Sequence, residues 1–175
     1  EKDLKKIFQK ENYIHFTNIE KRRYELYWTP LIGVFSGLRL GEITSLYLDN
    51  IREIGGNHRN KRWCFDIVEE PDRPDKHLKT KSSRRNVPIH DTLLNLGLIE
   101  FIELLREKDP MRERLFQELK ISEGSYIKNV STFFNKRYLP SLGIKTDKKN
   151  FHSFRHTVSD HLKQKSIEPH FINEL

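Results

Sequence analysis

One cysteine, Cys64, stands in a chain of 175 residues, which excludes an internal disulfide framework and leaves no thiolate pair for a metal shell. Apolar residues make up only 35% of the chain, and no apolar run approaches the ~18 residues of a membrane-spanning helix. The opening residues, Glu1-Lys2-Asp3-Leu4-Lys5-Lys6, contain no apolar segment of the kind a secretory signal needs. There is no glycine-rich phosphate loop and no Gly-x-Ser-x-Gly nucleophile elbow. No pair of acids lies in an apolar setting, as glycoside hydrolysis would require. Internal repeats and low-complexity tracts are also missing.

What the chain does have is charge. Charged residues reach 33%, and 32 Lys+Arg against 25 Asp+Glu give a net charge of +7. The resulting pI of about 9.4 points to a polyanionic partner such as nucleic acid. The length suits roughly one domain, large enough to bury about 68–70% of its unfolded surface. The first residue is Glu rather than Met, which reads as a piece of a longer protein.

Periodicity predicts a mostly helical α+β domain with a small three-stranded antiparallel sheet placed early. A short amphipathic helix covers Asp3 to Phe8, and residues 10–21 read as a surface loop. Tyr24 to Phe35 is dense enough in apolar groups for a helix buried on most sides, with Pro30 expected to kink it. Ser36-Gly37 breaks that run, and helical spacing resumes from Leu40 to Leu48. Ile51 to Ile54, Arg62 to Val68 and Arg85 to Ile89 are the strand candidates. Helices are then expected over Leu93–Lys108, Ser125–Leu142 and Phe151–Leu162. A last helix starts at Glu168, with Pro169 in its first turn.

Four residues stand out chemically: Arg39, Lys79, His152 and Arg155. Arg39 follows a glycine break and has Glu42 three residues on, close enough to orient the guanidinium or to form an ordinary surface ion pair. Lys79 opens a basic turn, Lys79-Thr80-Lys81-Ser82-Ser83-Arg84-Arg85, whose Lys81, Ser82, Ser83, Arg84 and Arg85 suit phosphate contacts. A solvated turn would have the same composition. In His152-Ser153-Phe154-Arg155-His156, His152 and Arg155 share one helix face, opposite Phe151, Phe154 and Val158. A neutral imidazole can accept a proton near pH 7 and an arginine cannot lose one, so the pair suits a phosphoryl centre. His152 and His156 could instead form a metal edge or simply cap and pack, but no acid or cysteine completes a metal shell.

Taken in order, Ser36-Gly37-Leu38-Arg39-Leu40-Gly41-Glu42-Ile43, Lys79 to Pro88 and His152-Ser153-Phe154-Arg155-His156-Thr157 resemble the catalytic domain of lambda-integrase-like tyrosine recombinases. The lead-in Tyr27-Trp28-Thr29-Pro30-Leu31-Ile32-Gly33 is most similar to integrases of bacterial phages and genomic islands. The resemblance spans residues 1–175 and implies the fold of that DNA breaking-rejoining class. It implies Arg39 and Arg155 as phosphate-clamping arginines, Lys79 or alternatively Lys81 as the acid for the leaving 5′ oxygen, and His152 as general acid/base. Glu42 would support Arg39, and His156 would be a structural neighbour. No metal, nucleotide or other cofactor is implied, since a phosphotyrosine link stores the bond energy.

The same resemblance implies double-stranded DNA as partner and a homotetramer on two duplexes. It implies no membrane association and a cytoplasmic, nucleoid-associated setting. The six tyrosines, Tyr13, Tyr24, Tyr27, Tyr47, Tyr126 and Tyr138, all precede His152 and none has the context of the family's nucleophile. The nucleophile and the family's N-terminal core-binding domain are therefore expected outside these residues, which should bind DNA weakly and cleave nothing. A non-catalytic DNA-binding or regulatory module, a type IB topoisomerase-like enzyme and a metal-dependent nuclease using His152 and His156 are the alternatives.

Overall fold

Leu26, Trp28, Leu31 and Ile32 are buried together along one helix, and the other elements assemble around it. The computed structural model describes residues 2–17, 23–55, 61–73, 84–144 and 146–173. In chain order they form α1 (Lys2–Ile7), α2 (Lys10–Thr17), α3 (Tyr24–Ser36), α4 (Leu40–Thr44), β1 (Ile51–Ile54), β2 (Arg62–Ile67) and β3 (Arg85–Pro88). There follow α5 (Asp91–Asn95), α6 (Leu98–Lys108), α7 (Ile127–Phe133), α8 (Leu139–Ser141), α9 (Ser153–Gln164) and α10 (Pro169–Asn173). Helix α3 packs against α2, α4, α5, α7 and α9. Pro30 lies inside it, buried, with no N–H to offer the preceding turn.

The sheet is antiparallel in the order β1-β2-β3. Phe65 of β2 faces Ile51 on one side and Val87 on the other, and all three are buried. Ile89 N donates to the Trp63 carbonyl at 2.8 Å, so the ladder runs one residue past β3.

Four local expectations need correction. Residues 10–17 are a helix rather than a loop, because Tyr13 and Thr17 turn inward. The Tyr13 hydroxyl donates to the Tyr27 carbonyl, and Thr17 Oγ1 donates to the Tyr13 carbonyl at 2.7 Å. Helix α4 stops at Thr44, and a 3₁₀ turn forms over Leu48–Asn50. The chain between them is drawn extended by a partner strand segment: Leu115 N donates to the Leu46 carbonyl, and Leu48 N donates to the Glu113 carbonyl.

The expected helix from Leu93 to Lys108 is two helices, since Gly97 sits at φ 83°, where a side chain would be strained. Beyond α7, a π-helical turn over Phe134–Tyr138 interrupts the expected run to Leu142. Phe134 and Tyr138, at its two ends, are both buried in the core.

Helix α9 approaches α3 closely. A methyl group built on Gly33 would meet Phe151 Cζ at 2.7 Å and Phe154 Cδ2 at 3.3 Å. The two rings pack edge-to-face on each other, with centroids 5.3 Å apart, and both contact Phe134. Replacing Gly33 by Ala is expected to cost about 1–3 kcal/mol, because volume is forced into a filled core. At roughly 2–4 °C per kcal/mol for a chain of this length, thermal unfolding followed by circular dichroism should show Tm falling by several degrees. An unchanged Tm would show that the Phe151 ring yields freely.

Candidate active site

Helix α3 ends at Gly37, in the left-handed region at φ 69°, with Gly37 N donating to the Gly33 carbonyl at 3.0 Å. A non-glycine residue there would be strained by its Cβ. Ser36 Oγ stiffens the turn by donating to the Ile32 carbonyl at 2.6 Å and accepting from Leu38 N at 3.2 Å. This turn delivers Arg39 to the start of α4 in an extended conformation, with its side chain partly exposed.

Glu42 organises what surrounds it. Its side chain is only 6% exposed, and both carboxylate oxygens are used. Oε1 accepts from Arg39 Nη1 at 2.8 Å and from Arg85 Nη1 at 3.1 Å. Oε2 accepts from the Arg39 backbone N–H at 2.8 Å and from Arg85 Nη2 at 2.8 Å. Burial pushes the Glu42 carboxyl up, but the bonds and charge of Arg85, with those of Arg39, outweigh it and hold it below the ordinary carboxylate value.

Arg85 therefore takes a different place from the one its composition suggested. Grouped by sequence with the phosphate-facing cations of the basic turn, it is instead buried, its side chain 8% exposed, and clamped on Glu42. The signal was available in the strand period: Arg85, Val87 and Ile89 alternate along one face, and the latter two are buried. Arg84, the preceding residue, is exposed. Lys79, Lys81, Ser82 and Ser83 lie outside the described residues.

Arg155 comes from α9 and meets the same turn. Its Nη1 donates to the Gly37 carbonyl at 2.9 Å across 118 positions of sequence. Burial first, then the positive charges of Arg39 and Arg85, push the Arg155 guanidinium below its ordinary value, with Glu42 opposing. Among the described residues, three guanidinium groups thus lie within electrostatic reach of this one carboxylate, an excess of two positive charges. Arginine stays protonated, so an anion relieves this repulsion.

His152 is exposed immediately before α9, in helical conformation. It lines an open cavity of about 280 Å³ with Leu38 and Leu40, the neighbours of Arg39, and with Asn135. His152 and the residues flanking Arg39 thus line the same cavity. His156 stands edge-on to His152, with ring centroids 4.9 Å apart.

Asn135 was not anticipated. It lies in the π-helical turn, and its Oδ1 accepts from Phe151 N at 2.9 Å, just ahead of His152. Asn150 Oδ1 accepts from His152 N at 2.9 Å. No pattern in the sequence marks Asn135, because its role depends on the π-helical turn. Among the described residues, no group of three or more His, Cys, Asp or Glu could hold a metal ion. No helix among them is long and apolar enough to cross a membrane.

Tyr13, Tyr47, Tyr126 and Tyr138 are buried, and the Tyr138 hydroxyl donates to the Ile7 carbonyl. Burial raises the phenol pKa of Tyr13, Tyr27 and Tyr138.

The helical architecture and the small antiparallel sheet describe an α+β domain, with a cation cluster around one carboxylate. Compared with known protein families, the chain matches the Phage integrase family over residues 1–175, and it belongs to that family of site-specific DNA recombinases. Comparison with individually described proteins and with solved structures returns no match.

Glu42 predicts an acid dependence. A carboxyl whose folded pKa is depressed stabilises the fold fully above its unfolded pKa, and that contribution is lost as pH falls through the folded value. The stability gap between the parent chain and Glu42→Gln, measured by urea unfolding, should be widest near neutral pH. It should narrow as pH drops below the ordinary carboxylate value of 4.5. A gap that stays constant down to pH 3 would show that Glu42 is not held ionised by its arginines.

Proposed function

We propose that these residues form the phosphate-activating part of an integrase catalytic domain, acting on double-stranded DNA through a 3′-phosphotyrosine intermediate. The observation that carries this reading is the convergence of Arg39 and Arg155, from opposite ends of the chain, on one turn with excess positive charge.

In this reading Arg39 and Arg155 bind the two non-bridging oxygens of the scissile phosphate. They stabilise the charge that grows there as a tyrosine oxygen attacks phosphorus and the bond to the 5′ oxygen breaks. Preorganisation supplies the advantage, because the guanidinium groups are already held by Glu42 and the Gly37 carbonyl. His152, across the small cavity from Leu38 and Leu40, serves as general acid/base for the nucleophile. Lys79, or alternatively Lys81, protonates the leaving 5′ oxygen. Glu42 supports Arg39, and His156 packs beside His152. None of the six tyrosines is assigned as nucleophile. The working assembly is a homotetramer on two duplexes, in which strands are exchanged in pairs. No metal or other cofactor enters the scheme.

Binding to duplex DNA tests this. Affinity of the chain for a duplex should fall steeply with salt, by a slope of about −0.9 in log–log terms per neutralised phosphate. Arg39→Ala and Arg155→Ala should each weaken binding about ten- to a hundredfold, the range for bonds to charged groups, while thermal unfolding stays cooperative. A flat salt dependence, or variants that bind as the parent does, would overturn the phosphate-clamp reading.

A further inference from the structure

Arg85 stands outside the set of residues that would touch phosphate, yet both of its Nη atoms bond the residue that holds one of them. A carboxylate has about four acceptor positions. At Glu42 all four are filled, two by Arg39 and two by Arg85. Of the two that Arg39 fills, one belongs to its backbone N–H, so a single guanidinium N–H of Arg39 is held.

This division of acceptors has a consequence for Arg39. An unshared carboxylate takes an arginine side chain bidentately, two parallel bonds to the same guanidinium edge. At Glu42 that place is already occupied by Arg85, which is buried and approaches from β3 with both Nη atoms. Arg39 is left with one anchoring bond and the remaining donors of its fork directed elsewhere. Charge follows the same division. One carboxylate between two guanidinium groups cannot neutralise both, so Arg39 keeps positive charge for an external anion.

We infer that Arg85 is a positioning residue that acts through Glu42: it occupies the carboxylate bidentately, so that Glu42 orients Arg39 without capturing it. The inference rests on the proposed phosphate-binding role of Arg39. It also ties β3, whose first residue is Arg85, to Glu42 across 43 positions, and through Glu42 to the first arginine of the site.

A double-variant cycle on the full chain tests it, with binding to a duplex of fixed sequence at one salt concentration as readout. Arg85→Gln should weaken binding about five- to tenfold, within the range of coupled neighbours. In an Arg39→Ala background the same Arg85→Gln change should alter affinity by less than about twofold, because the residue through which it acts is gone. Arg85→Lys, which keeps the charge but not the fork, should give an intermediate loss in the parent and none in Arg39→Ala.

If Arg85→Gln fails to unfold cooperatively on heating, the cycle is read with Arg85→Lys. An equal loss in both backgrounds would overturn the inference, since a direct DNA contact or a general weakening of the fold would persist without Arg39. Parent-like affinity of the folded Arg85 variants would also overturn it. A parent chain with no salt-sensitive duplex binding would overturn the proposed function, and this inference with it.

Discussion

A buried carboxylate must be paired or it will not stay ionised, and Glu42 is paired on every side. The arrangement of the site follows from that requirement. Arg39 reaches Glu42 from the start of α4 and Arg85 reaches it from the start of β3, so one charge joins helix to sheet. Arg155 closes the group by bonding the Gly37 carbonyl at the turn that presents Arg39. Breaking one partner of a buried pair leaves an uncompensated charge, so this cluster resists rearrangement.

The electrostatic cluster is supported by an apolar one. Gly33 lets Phe151 and Phe154 sit directly against α3, and Phe134 packs on both rings. These contacts set where α9 begins and therefore where His152 and Arg155 lie. Asn135, exposed to the task by a π-helical turn, bonds the backbone at Phe151 and keeps the chain ahead of His152 in place. Packing and charge thus act on the same part of the molecule, the start of α9 and the turn at Gly37.

Much of this was legible from spacing alone. The buried helix at Tyr24 to Phe35 and the three strands follow from apolar periodicity, and Arg39, Glu42, His152 and Arg155 stand out by residue type and spacing. The errors came where long-range contacts override local pattern. Residues 10–17 look polar, but Tyr13 finds the Tyr27 carbonyl and the segment coils. Leu46 to Leu48 has helical spacing, but the segment at Glu113 to Leu115 draws it extended. Arg85 has the composition of a basic turn, but the period of two along β3 turns it inward to Glu42.

By itself the sequence determined the class of chemistry: basic groups with a histidine, no thiolate pair, no nucleotide loop and no membrane-length apolar run. Those are properties of side-chain types, which no fold can change. Only the tertiary structure decided which cations face outward and which are consumed inside. Arg85 gives the Glu42 carboxylate both Nη atoms, whereas Arg39 gives it one guanidinium N–H and its backbone N–H. Arg85 and Arg39 are the same side chain, and only their geometry at Glu42 tells them apart.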